Sequence, residues 1–130
     1  MKAFVDTSAL FALLDESDVN HVPAARLFAS LRGAELVTHT YVIVETIALV
    51  SRRLGRAAVE QLLDGLLPVV GVVVVDAPLH AAAVAAFRDT IESWVSLVDR
   101  TSFAFMRANR IGVAFAFDID FSTAGFELAG

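Results

Sequence analysis

Two short apolar runs, one near each end of the chain, stop at an aspartate: Ala3-Phe4-Val5 at Asp6, and Val113-Ala114-Phe115-Ala116-Phe117 at Asp118. Each has the length and composition of a strand, and after Asp6 the residues Leu10, Leu13 and Leu14 take up helical spacing. The first run therefore reads as a strand that turns directly into a helix, with Asp6 at the strand's carboxyl end. In an open α/β sheet that edge is where ligands bind, because strand-end loops and helix N-termini open there into a crevice. Asp118 repeats the pattern, and Asp120 follows it two residues later.

Between these runs, helical and strand-like segments alternate. Helices are expected over Ser8–Leu14 and, with Pro23 in its first turn and Gly33 past its end, over His21–Leu31. Leu36-Val37-Thr38 is a short strand; Thr40 then caps a helix from Tyr41 to Leu54 closed by Gly55, and Ala57–Leu67 is helical again. The run Val72–Val75 has no polar face, which predicts a strand covered on both sides, as in a parallel sheet. Asp76 and Pro78 open a helix from Ala77 to Thr90, Glu92–Val95 is a loop, and Ser96 begins a helix reaching Asn109. The alternation predicts an α/β fold: one three-layer α/β/α domain over residues 1–130, with a mostly parallel central sheet.

Composition narrows the function. A hydrophobic content of 57% marks a core-forming chain, and the longest uncharged stretch, Leu66 to Val75, is broken by Pro68 and Gly71. That falls short of the roughly 18 apolar residues a membrane span requires. Asp6 interrupts any signal-peptide core, so a cytoplasmic address is expected. With no cysteine there is neither a disulfide framework nor a thiolate zinc site. The net charge of −5 argues against a generic nucleic-acid coat. Local arginines can still meet a polyanion: Arg52, Arg53 and Arg56 fall together, although cations at a helix end also simply oppose its dipole.

The acids carry the chemistry. Glu45 lies in Tyr41–Val50, a helix apolar nearly all round, where an ionised carboxylate needs a cation or hydrogen-bond donors to offset lost water. Asp99 sits in Ser96-Leu97-Val98-Asp99, which has the spacing of a capping box, while the helix dipole there would also keep a metal ligand ionised. Taken together, Asp6, Glu45, Asp99 and Asp118 form a set of hard oxygen donors without histidine or cysteine, which points to Mg2+ or Mn2+ rather than zinc. Phosphoryl transfer is the reaction such a site does best, because a bound cation lowers the pKa of water and takes up charge on the leaving oxygen.

Val5-Asp6-Thr7-Ser8, Val44-Glu45-Thr46, Ser96 to Phe103, and Phe117-Asp118-Ile119-Asp120-Phe121 with Ala124-Gly125-Phe126 resemble, in order and spacing, the PIN-domain family, and within it the VapC-type ribonuclease toxins. The resemblance implies an Mg2+- or Mn2+-dependent endoribonuclease acting on RNA, usually a homodimer, held inactive by a cognate antitoxin. It carries Asp6, Glu45, Asp99 and Asp118 over as the catalytic, metal-binding acids, with Thr7 or Ser8 as a supporting hydroxyl and Asp120 as a support at best. Arg100, directly after Asp99, either meets phosphate or is solvated. A PIN-like domain in RNA processing and a catalytically silent protein-binding module are the alternatives.

The remaining candidates are weaker. His21, His39 and His80 have no metal-ligand spacing to one another and are read as surface or capping residues. Trp94 and Tyr41 are able to stack on bases, but a loop tryptophan is also a common packing or dimer contact. A receiver-type regulatory module also gathers acids at strand ends, yet it needs a lysine on a later strand, and Lys2 is the only lysine.

Overall fold

The computed structural model describes every residue from Met1 to Gly130. Five strands, β1 (Lys2–Val5), β2 (Glu35–His39), β3 (Gly71–Val73), β4 (Val113–Phe115) and β5 (Glu127–Leu128), form one sheet in the order β3-β2-β1-β4-β5. Every pairing is parallel. Seven helices flank the sheet: α1 (Thr7–Leu14), α2 (His21–Ser30), α3 (Thr40–Arg53), α4 (Arg56–Gln61), α5 (Ala77–Asp89), α6 (Leu97–Ala108) and α7 (Asp120–Thr123). This is the expected α/β/α architecture. No helix is long and apolar enough to cross a membrane.

The strand order matters for function. The chain builds outward from β1 to β2 and β3, then returns to place β4 and β5 on the other side. Where an open parallel sheet reverses its direction of growth, the loops leaving adjacent strands diverge and leave a crevice. Here that point lies between β1 and β4, the two strands that lead to Asp6 and Asp118. The ladder runs one residue past β1, since the Asp6 amide donates to the Phe115 carbonyl at 3.1 Å.

Aromatic packing fixes the elements around this crevice. Phe4 is fully buried on β1 and meets Phe105 of α6 and Phe121 of α7 at ring-centroid distances of 5.8 and 6.0 Å. Phe121 meets Phe103 edge-on at 5.0 Å. Each such burial contributes roughly 1.5–3 kcal/mol. The same rings therefore hold α6, which carries Asp99, and the turn that carries Asp118 and Asp120.

Several local expectations needed correction. Val72 and Val73 are not covered on both sides: β3 is an edge strand and both are more than 40% exposed. A run of β-branched residues shows that a segment is extended, but only the strand order says whether a second neighbour covers it. The cap of α3 is His39 rather than Thr40; its ring accepts from the Val42 amide, while the Thr40 hydroxyl accepts from the Val75 amide at 3.1 Å. The helix after Gly55 breaks into α4, a π turn over Leu62–Leu66 and a 3-10 turn over Leu67–Val69 with Pro68 in its first turn. The strand before Asp118 stops at Phe115. The two-residue β5 had no legible signal.

Candidate metal centre

Asp6 ends β1 and caps α1. Its Oδ2 accepts from the Ser8 amide at 3.1 Å and from the Ser8 hydroxyl at 2.7 Å. That hydroxyl accepts in turn from the Phe117 amide at 2.9 Å, so one serine fastens both acid-bearing segments. The other oxygen of Asp6, Oδ1, is buried with no hydrogen-bond partner. Such an atom is costly to bury unless a proton or a cation meets it.

Asp99 lies in the first turn of α6, where the Ser96 hydroxyl caps the helix by accepting from the Asp99 amide at 3.1 Å. Half of the expected capping box is therefore present. The Asp99 carboxyl does not reach back to Ser96 but lies close to Asp118. Asp118 Oδ1 also accepts from the Asp120 amide at 2.9 Å, a tight turn that swings Asp120 inward. Asp99, Asp118 and Asp120 thereby bring carboxylate oxygens within 4.8 Å of one another. Asp6 and Glu45 stand outside that triad, but their charges bear on Asp99. Asp120, which the sequence offered only as a support, is thus one of the tightest group. Its signal was the spacing Asp118-x-Asp120, which suits a side-chain-to-backbone turn.

Glu45 is half-buried on α3 beside Val44, which is 66% exposed, so the helix is less enclosed than its apolar sequence suggested. It lines a cleft with Thr7, Ala48, Leu49 and Arg52. Arg52 is therefore a neighbour of Glu45 as well as a charge in the last turn of α3. The buried Thr7 and Thr46 hydroxyls hydrogen-bond each other at 3.0 Å, and Thr46 donates to the Val42 carbonyl at 2.7 Å. This pair locks the residue after Asp6 to the residue after Glu45.

The acids disturb one another. Loss of water pushes the Asp6 carboxyl up to about 6; the Ser8 hydrogen bonds pull it back, and the charges of Glu45 and Asp118 add to the rise. Burial raises Asp99 to about 8, with the charges of Asp6, Asp118 and Glu45 and the close approach of the Asp118 carboxyl contributing. Asp120 is raised as well, by lost water first and then by Asp118, while Arg100 opposes the shift. Both salt bridges, Lys2–Glu35 and Arg56–Glu60, lie elsewhere, so no arginine forms an ion pair within the cluster and Arg100 offsets it only at a distance. These carboxylates must hold protons or share a cation. All donors are hard oxygens, and with Asp6 Oδ1 left bare the set fits a divalent ion of the magnesium or manganese type.

The histidines stay out of the site. His39 is fully buried, against the surface reading but in keeping with the capping one. Its Nε2 lies 2.9 Å from the Ser102 hydroxyl, which itself donates to the Val98 carbonyl, so the ring nitrogen is the donor. Burial lowers its pKa to about 4 and keeps it neutral. His80 pairs with the Tyr41 hydroxyl at 2.6 Å, and His21 with the Ala12 carbonyl at 2.8 Å.

The PIN domain family model matches residues 3–127. The chain belongs to the PIN-domain family. Among known PIN-domain proteins, the 23S rRNA-specific endonuclease VapC20 of Mycobacterium tuberculosis is 44% identical over 124 residues, covering 95% of this chain and 94% of that protein. The crystal structure of Mycobacterium tuberculosis VapC20, described as a sarcin-ricin loop cleaving toxin, matches with a TM-score of 0.88 at 41% identity over 95% of each chain. More distant structures share the PIN-domain fold. FitAcB from Neisseria gonorrhoeae has a TM-score of 0.70 at 16% identity, covering all of this chain and 97% of its own. VapBC2 from Rickettsia felis, bound to a promoter DNA fragment, has 0.71 at 12%, covering 98% and 97%.

Proposed function

We propose that this PIN domain is a divalent-metal-dependent endoribonuclease, the toxin of a VapBC-type pair, which hydrolyses RNA phosphodiester bonds with Mg2+ or Mn2+. The carrying observation is the meeting of Asp99, Asp118 and Asp120 at the sheet's switch point, with the charges of Asp6 and Glu45 bearing on Asp99 and no basic side chain in an ion pair with any of the five. Asp6, Asp99 and Asp118 would hold the ion, with Glu45 and Asp120 as direct or water-mediated ligands. When bound, the ion supplies an activated water and charge for the leaving oxygen.

The chain's own residues do the rest. Ser8 holds the Asp6 carboxylate and the Phe117 backbone together, so the acids of β1 and of the turn after β4 keep their relative positions. The N-terminus of α6 favours the ionised form of Asp99 once a cation offsets its neighbours. Arg52 borders the Glu45 cleft and Arg100 follows Asp99, and both would meet the backbone of a bound polyanion. Likeness to VapC20 supports structured ribosomal RNA as the substrate. A cognate antitoxin, a second copy of the chain and a cytoplasmic setting belong to the same reading.

The test is cleavage of a ribosomal RNA fragment by purified protein. Activity should require Mg2+ or Mn2+, vanish in EDTA, and be absent from Asp6→Asn. Undiminished cleavage by Asp6→Asn would remove the site from the reaction.

A further inference from the structure

Ten phenylalanines, one tyrosine and one tryptophan are the chain's aromatic residues, and Trp94 alone among them is exposed, at 97%. It lies in the loop between α5 and α6, five residues before Asp99 and so within about 18 Å of it even along a fully extended chain. The loop is fastened rather than loose. Its Ser93 amide donates to the Thr90 carbonyl at 2.9 Å, and the Ser93 hydroxyl accepts from the Val95 amide at 3.4 Å and from Arg100 Nη2 at 3.3 Å. Arg100 in turn stacks over Phe103 at 5.9 Å, while its Nε is buried without a partner. The guanidinium thus ties the tryptophan-bearing loop to the helix turn that carries Asp99, with donor capacity still unspent.

Leaving an indole in water forfeits burial that every other aromatic side chain here achieves at least in part. A flat, sequence-tolerant platform beside a cation and a phosphodiester-cleaving centre is what an unpaired base requires, since every base has a face on which to stack. We infer that Trp94 stacks on an unpaired base of the RNA substrate while Arg100 meets the neighbouring backbone phosphate. The assignment rests on the ribonuclease reading above. Ile91 is the loop's other exposed apolar side chain, at 65%, but Glu92 and Ser93 stand between it and Trp94 and Ser96 follows, so the chain there is not the continuous apolar patch a protein partner would seek.

Because the chain has a single tryptophan, its fluorescence reports this position directly. Titrating cleavage-inactive Asp6→Asn protein with a single-stranded oligoribonucleotide in Mg2+ should give saturable quenching. In cleavage assays Trp94→Ala should raise KM by roughly five- to hundredfold with kcat unchanged, and Trp94→Phe should recover most of the loss. Cleavage by the wild type with no quenching and an unaltered KM in Trp94→Ala overturns the stacking assignment alone. Quenching with no wild-type cleavage overturns the ribonuclease reading and leaves the base platform standing. If Trp94 fluorescence instead follows protein concentration without RNA, and Trp94→Ala is monomeric where the wild type is not, the residue is a protein contact and the inference fails.

Discussion

Replacing Asp6 by asparagine should make the metal-free protein more stable while abolishing its activity. Asp6 is 4% exposed, and its carboxyl is raised from 3.8 to about 6 by burial, which the charges of Glu45 and Asp118 reinforce. A raised acid binds its proton more tightly in the folded than in the unfolded chain, so stability is greatest below pH 4 and is lost as pH climbs through 6. Two units at about 1.36 kcal/mol each put the loss at about 3 kcal/mol by pH 8. Asparagine retains an oxygen for the Ser8 hydrogen bonds and turns an amide toward carboxylates that repelled the original charge. Allowing for burial of that amide, the gain at pH 8 should be about 1–3 kcal/mol, or about 4–12 °C in Tm for a chain of this length. Thermal unfolding followed by circular dichroism in EDTA, at pH 8 and at pH 3.5, measures it. No gain at pH 8, or an equal gain at pH 3.5, would refute the electrostatic account. Saturating Mg2+ should erase the advantage, because the wild type then has its own counter-charge.

The same cluster should release protons when it binds an ion, because Asp99 and Asp6 are held up to about 8 and about 6 without one. Calorimetric titration of Mn2+ at pH 7 in buffers of different ionisation enthalpy counts those protons, and a count of zero would contradict the raised carboxyls. His39 works in the opposite direction. Its pKa falls from 6.5 to about 4, so its contribution of about 3 kcal/mol is present above pH 6.5 and is lost as pH falls through 4. Urea unfolding across that range should show the acid limb flattened in His39→Gln. Phe121→Ala should cost about 3–5 kcal/mol and, by loosening the turn around Asp118 and Asp120, weaken Mn2+ binding as well. Unchanged ion affinity in that variant would show that the turn is held by something other than the aromatic cluster.

Much of the candidate site was legible because its acids stand at junctions with strong local signals. Asp6 and Asp118 follow apolar runs, and Asp99 sits three residues after a capping serine, so each could be placed on an element from its neighbours alone. The argument for Glu45 had an overstated premise, since α3 turns a face to solvent at Val44 and only part of its apolar surface is packed. Asp120 was undervalued for a related reason. Its place beside Asp99 depends on what lies across the crevice, and the local sequence carries no information about the facing element. His39 was missed as a core residue because a lone histidine after a short strand has the same local signature whether the chain covers it or not.

Sequence alone determined the alternation of strands and helices, the hard-oxygen chemistry and the position of each acid on its own segment, because these follow from hydrophobic period, capping and side-chain type over a few residues. Tertiary structure decided the strand order that makes β1 and β4 neighbours, the exposed edge at β3, and the meeting of Asp99, Asp118 and Asp120 within 4.8 Å. Those are properties of distance between segments remote in the chain. They are fixed only when the aromatic core chooses which helix packs over which strand.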